Sequence, residues 1–136
     1  MLEVIIVDDD QIVVFIQQKM ICNHAITSNP ISFSEAGAAL DYLNEQQHRA
    51  EKKEFLIFLD INMPKMNGWE FLDSLNNYED NSNYHVVMVS SSINRRDREK
   101  AIRYHMVRAF IEKPITAADC EKIKDISEIS HFFQPV

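Results

Sequence analysis

Phe55-Leu56-Ile57-Phe58-Leu59 is an unbroken apolar run that stops at Asp60. A run of that length closed by a turn reads as a strand buried on both faces. Glu3–Asp8, His85–Ser90 and Arg108–Glu112 also read as strands, with Pro30–Phe33 as a shorter one. Between these runs apolar residues recur at helical spacing. Helices are predicted from near Gln11 to Cys22, from Ala36 to Gln46 through Leu40 and Leu43, and from Trp69 to Asn76 with Phe71, Leu72 and Leu75 inward. Two more are predicted from Arg95 to Tyr104 and from Thr116 to about Ser130. Ser34 is the expected cap of the second helix, and Thr116 followed by Asp119 resembles a capping box. On the first helix Val13, Ile16 and Met20 are expected to face the sheet, which leaves Ile12 and Phe15 together on another side. Gly68 ends the loop after Asp60, and Gln47 to Glu54 reads as an exposed, charged connection.

Strand and helix alternate throughout, a (βα)5 order that implies a parallel sheet with helices on both faces. The fold class is therefore α/β, doubly wound, a three-layer sandwich. The expected sheet order is 2-1-3-4-5, by analogy with flavodoxin-like folds. The chain of 136 residues is enough for one domain, taken as 1–136. Apolar residues make up 46% and charged residues 26%, the balance of a soluble globular protein. A net charge of −7 argues against a nucleic-acid surface. The first apolar run stops at Asp8, too soon for a signal peptide or a membrane span. Cys22 and Cys120 lack C-x-x-C spacing and read as reduced thiols, so the expected location is cytoplasmic.

Four of the strands deliver polar groups at the same end: Asp8-Asp9-Asp10, Asp60, Ser90-Ser91-Ser92, and Lys113. In open α/β sheets that edge is where ligands bind. Crowded carboxylates repel and their pKa values rise, unless a cation is present. Oxygen-only ligands favour a hard ion, and Mg²⁺ takes one or two carboxylates plus water and phosphate oxygens. Each residue also has a plain structural role open to it. Asp60 can cap the next helix, Lys113 can be a surface lysine before a turn, and Ser90 can satisfy backbone groups. Asp10 is assigned to the dipole of the first helix rather than to metal. Arg95, Arg96, Arg98, Lys100 and Arg103 read as a solvated face, with partner contact as the alternative. The five histidines show no ligand spacing and are treated as incidental, and Trp69 as an anchor for its helix.

An acidic pair after strand one, a lone Asp after strand three, a hydroxyl after strand four and Lys-Pro after strand five resemble the receiver domain of two-component response regulators. Asp60-Ile61-Asn62-Met63-Pro64-Lys65-Met66-Asn67-Gly68 is similar to that family's D-x-x-M-P-x-M-[DN]-G signature. The resemblance spans Val4 to about Ile129 and implies a CheY-like fold. It implies that Asp60 accepts a phosphoryl group and that Mg²⁺ is held by Asp9 directly and by Asp8 through water. The Asn62 carbonyl and Asp60 would complete the metal set. Ser90 would be the switch hydroxyl, Phe110 the switch aromatic and Lys113 the lysine contacting phosphate, with a cis Lys113-Pro114 bond. His105-Met106-Val107-Arg108 stands where the family frequently has Gly-Ala.

The function expected is a stand-alone response regulator without an output domain. A histidine kinase or a histidine phosphotransfer protein would phosphorylate it, and phosphorylation would switch a protein–protein surface. Onward transfer in a phosphorelay is the alternative. The chain is not expected to be an enzyme beyond slow autophosphorylation and autodephosphorylation, and neither nucleic acid nor membrane is an expected partner. A haloacid-dehalogenase-type phosphohydrolase would need an acid two residues after the nucleophile. Asn62 occupies that position and cannot exchange a proton near neutral pH. Ile12 and Phe15 are expected to meet the phosphodonor.

Overall fold

The computed structural model describes residues 1–49, 51–78, 80–91 and 94–134; Ser92 of the serine run lies outside them. Five strands, β1 (Leu2–Val7), β2 (Ile31–Phe33), β3 (Glu54–Asp60), β4 (Tyr84–Ser90) and β5 (Val107–Glu112), form one sheet in the order β2-β1-β3-β4-β5. Every pairing is parallel. Five helices alternate with them: α1 (Gln11–Asn23), α2 (Ala36–Gln47), α3 (Gly68–Asn76), α4 (Arg95–Ile102) and α5 (Ala117–Lys124). The order expected from the sequence is the order observed. The alternation of side chains along β3 divides the core. Phe55, Ile57 and Leu59 pack with the α2 and α3 residues Leu43, Phe71 and Leu72. Leu56 and Phe58 pack with Val14, Ile21, Cys120 and Ile123 of α1 and α5. No helix among the described residues is long and apolar enough to cross a membrane.

Several expectations need correction. The inward face of α1 is Val14, Gln17 and Ile21, not Val13, Ile16 and Met20. Val13 and Met20 are half-buried, and Ile16 is 39% exposed. Positions 12 to 16 are all apolar, so spacing does not define the phase of the helix. The N-cap position of α2 is Glu35, not Ser34, and it makes no side-chain cap bond. Helix α4 stops at Ile102, which lets Tyr104 turn back and stack on Trp69 at 6.0 Å. Helix α5 stops at Lys124 rather than near Ser130. The following turns bury Ile129 before a short 3-10 turn at Ser130–Phe132. The Thr116–Asp119 capping box is present as expected.

The entry to β5 has a specific form. Val86 pairs with Val107 and Val87 with Ala109, so Arg108 is an extra residue in a bulge. The bulge puts Val107 and Phe110 on the α2–α3 side and Ala109 on the other. Arg108 then donates from Nε to His85 Nδ1 at 3.3 Å and from Nη1 to the His105 carbonyl at 3.0 Å. His85 is buried and sits 3.0 Å from Glu54, so this histidine is a core link between β3, β4 and β5 rather than incidental.

Candidate phosphoacceptor site

The C-terminal ends of β1, β3, β4 and β5 meet at one edge, and the sequence places a polar group on each. Asp8 follows β1 and is held from two directions. Its backbone N–H donates to the Phe33 carbonyl at 3.1 Å, and its Oδ1 accepts from the Asp10 N–H at 2.9 Å. Asp10 is the N-cap of α1, accepting from Ile12 at 3.0 Å and Val13 at 3.3 Å. This is the helix-start role expected of it.

Asp60 is the last residue of β3. The turn beyond it is closed by Gly68, whose N–H donates to the Ile61 carbonyl at 2.8 Å. A Cβ at Gly68 would lie 2.7 Å from the Asp60 carbonyl oxygen and 2.9 Å from Ile61 Cα, so only glycine fits. A capping box between Asn67 and Glu70 fixes the far end of the turn. Lys65 takes a left-handed φ of 67° within it, and its Nζ lies 3.3 Å from Glu35.

Ser90 closes β4 and is buried. Its carbonyl accepts from the Lys113 N–H at 2.7 Å, which ties the ends of β4 and β5 together. The Lys113-Pro114 bond is cis. Lys113 Nζ sits 2.9 Å from Asp8 Oδ2 and 3.2 Å from Asp60 Oδ1. The buried Asp8 Oδ2 therefore has the Lys113 ammonium as its partner, and that one ammonium is shared with Asp60.

One oxygen from each of Asp8, Asp9 and Asp60 lies within 4.8 Å of the others. Burial, and then the charge of Asp8, push the Asp60 carboxyl above its usual range, and Lys113 only partly offsets them. Burial alone would lower the Lys113 ammonium, but Asp8 and Asp60 outweigh it and hold it raised. Both partners of one ion pair are therefore shifted upward, because a single cation faces two buried acids. The arrangement fits a hard divalent cation. It offers oxygen ligands only, two buried carboxylates that share a single lysine, and an exposed Asp9 open to water.

The response regulator receiver domain family matches residues 4–124. The chain belongs to that family. A solved two-component response regulator from Cytophaga hutchinsonii is 29% identical, with a TM-score of 0.84 over 96% of this chain and 97% of that one. A receiver protein from Dyadobacter fermentans is 26% identical, with a TM-score of 0.78 over 92% and 97%. A curated relative, "Probable methanogenesis regulatory protein FilR2" of Methanothrix harundinacea, is 28% identical over 92 residues. That match takes in 67% of this chain and 59% of the relative's length.

Asn62, Phe110, Ile12 and Phe15 are the other residues singled out from the sequence. Asn62 is exposed, and its backbone N–H donates to the Asp60 carboxylate. Phe110 is half-buried on β5, level with Met88, beneath the Arg98 guanidinium. Ile12 and Phe15 are 73% and 58% exposed on α1, as expected. Beside them Val13, Ile16, Gln17, Ser91, Lys113, Pro114 and Ile115 line a cavity of about 270 Å³. Gln17 was missed in the sequence. It is buried with its Oε1 unpaired, and only the true phase of α1 exposes the anomaly.

Proposed function

We propose that Asp60 is the phosphoacceptor of a receiver that takes its phosphoryl group from a phosphohistidine on a kinase or phosphotransfer protein. An Asp60 oxygen attacks phosphorus, the P–N bond breaks as the P–O bond forms, and the imidazole departs with its nitrogen protonated. The observation that carries this reading is the meeting of Asp8, Asp9 and Asp60 with Lys113 at 3.2 Å from the nucleophile. Mg²⁺ held by Asp8, Asp9, Asp60 and the Asn62 carbonyl would offset the repulsion that raises Asp60 and neutralise the incoming phosphoryl oxygens. Lys113 is placed to pair with a second phosphoryl oxygen, and the Ser90 hydroxyl to donate to a third. Drawing Ser90 toward phosphate would open space for Phe110 to turn inward, which changes the surface formed by α4 and β5.

The phosphodonor docks on α1 in this reading. Ile12 and Phe15 are exposed apolar residues beside a cavity that Lys113 also lines. Output is a protein–protein contact, with onward phosphate transfer as the second reading. A cytoplasmic setting agrees with the free thiols Cys22 and Cys120. Incubation with acetyl phosphate and Mg²⁺ tests the reading. One base-labile phosphoryl group is expected on the wild type and none on Asp60→Asn.

A further inference from the structure

Helix α4 is weakly anchored by apolar packing, since Ala101 is its one buried residue. Two cations hold it instead. The Arg98 guanidinium lies 5.7 Å from the Phe110 ring centroid, and Lys100 Nζ lies 4.6 Å from the Trp69 ring. Residues two apart on a helix leave it on nearly opposite flanks. The helix thus straddles the gap between α3 and β5, clipped once on each side. The α3 side is fixed. Trp69 is stacked on Tyr104, whose hydroxyl donates to Asp73 at 2.7 Å. The β5 side rests on Phe110, which is only half-buried.

We propose that Arg98 is the arm through which Phe110 governs α4. While the ring lies under the guanidinium, α4 is held on both flanks. When the ring turns into the core, the Arg98 contact opens and α4 pivots on Lys100 and Trp69. This rests on Phe110 being the switch aromatic of the function proposed above.

Two arms of one experiment separate the clip from that reading. In the unphosphorylated full chain, amide hydrogen exchange of residues 95–102 is followed in Arg98→Ala, Phe110→Ala and the double variant. Each single change should quicken exchange about two- to fivefold, and the double should exceed neither. Additive effects, or no effect of Arg98→Ala, would overturn the clip. In the second arm the protein is treated with acetyl phosphate and Mg²⁺. Wild-type α4 should exchange faster once Asp60 carries phosphate. Arg98→Ala should accept phosphate equally and show no further increase, and Arg98→Lys, which keeps a cation, should restore part of the response. A full wild-type response in Arg98→Ala would also overturn it. If no phosphate reaches Asp60, the receiver chemistry fails while the first arm still decides the clip.

Discussion

Asp60 carries an internal conflict that has a measurable consequence. Its carboxyl is raised above the ordinary 3.8 by burial and by Asp8. A raised folded-state value means that the folded protein holds the proton more tightly than the unfolded chain. Stability therefore falls as pH rises from 3.8 through the folded value, and stays lower above it. Asp60→Asn removes that charge. In metal-free buffer it should be more stable than the wild type at pH 7 by urea denaturation, with the gap narrowing toward pH 4. A wild type more stable than the variant at pH 7 without metal would contradict the electrostatics described. Gln17 is a second residue that costs stability, with its Oε1 buried and unpaired on the inner face of α1. Gln17→Leu keeps the volume and should stabilise the domain by about 1 kcal/mol, read as a shift in the urea midpoint. Gly68→Ala should do the reverse. Its Cβ would meet backbone at 2.7 Å, and overpacking of this kind costs about 1–3 kcal/mol in the same measurement.

At the level of elements, α1 links fold and partner. Its inner face is Val14, Gln17 and Ile21, and its outer face leaves Ile12, Phe15 and Ile16 in solvent. Phe15→Ala should slow phosphorylation by a cognate histidine donor about tenfold, the scale of one buried aromatic contact. It should leave phosphorylation by acetyl phosphate unchanged; equal slowing with both donors would mean that Phe15 supports the fold. The same helix shows where the sequence was legible and where it was not. Strands β1, β3 and β4 were readable because long apolar runs stop abruptly at polar residues, and that also located Asp8, Asp60 and Ser90; Lys113 was located by the Lys-Pro pair that follows the shorter run of β5. The phase of α1 was not, because positions 12 to 16 offer apolar residues on every side. The Arg108 bulge was not readable either. It depends on His85 and Glu54, which are remote in sequence and meet only across the sheet. Helix ends at Ile102 and Lys124 were set by the distant contacts of Tyr104 and Ile129 rather than by local propensity.

For the molecule as a whole, the parallel order β2-β1-β3-β4-β5 puts residues separated by more than a hundred positions into one pocket: Asp8 and Lys113 meet at 2.9 Å. Neither end of the chain can build the site alone. The carboxylates and Lys113 gather at this edge of the sheet, and the central claim is that Asp60 is covalently phosphorylated there. Its most direct measurement is intact-protein and peptide mass spectrometry after treatment with acetyl phosphate, with and without Mg²⁺, on wild type, Asp60→Asn and Asp9→Asn. The wild type should gain one base-labile phosphoryl group on the peptide holding Asp60, only with Mg²⁺. Asp60→Asn should gain none at that position, and Asp9→Asn should gain it far more slowly. An acid-stable phosphate on Ser90, Ser91 or Ser92, or undiminished modification of Asp60→Asn, would contradict the account.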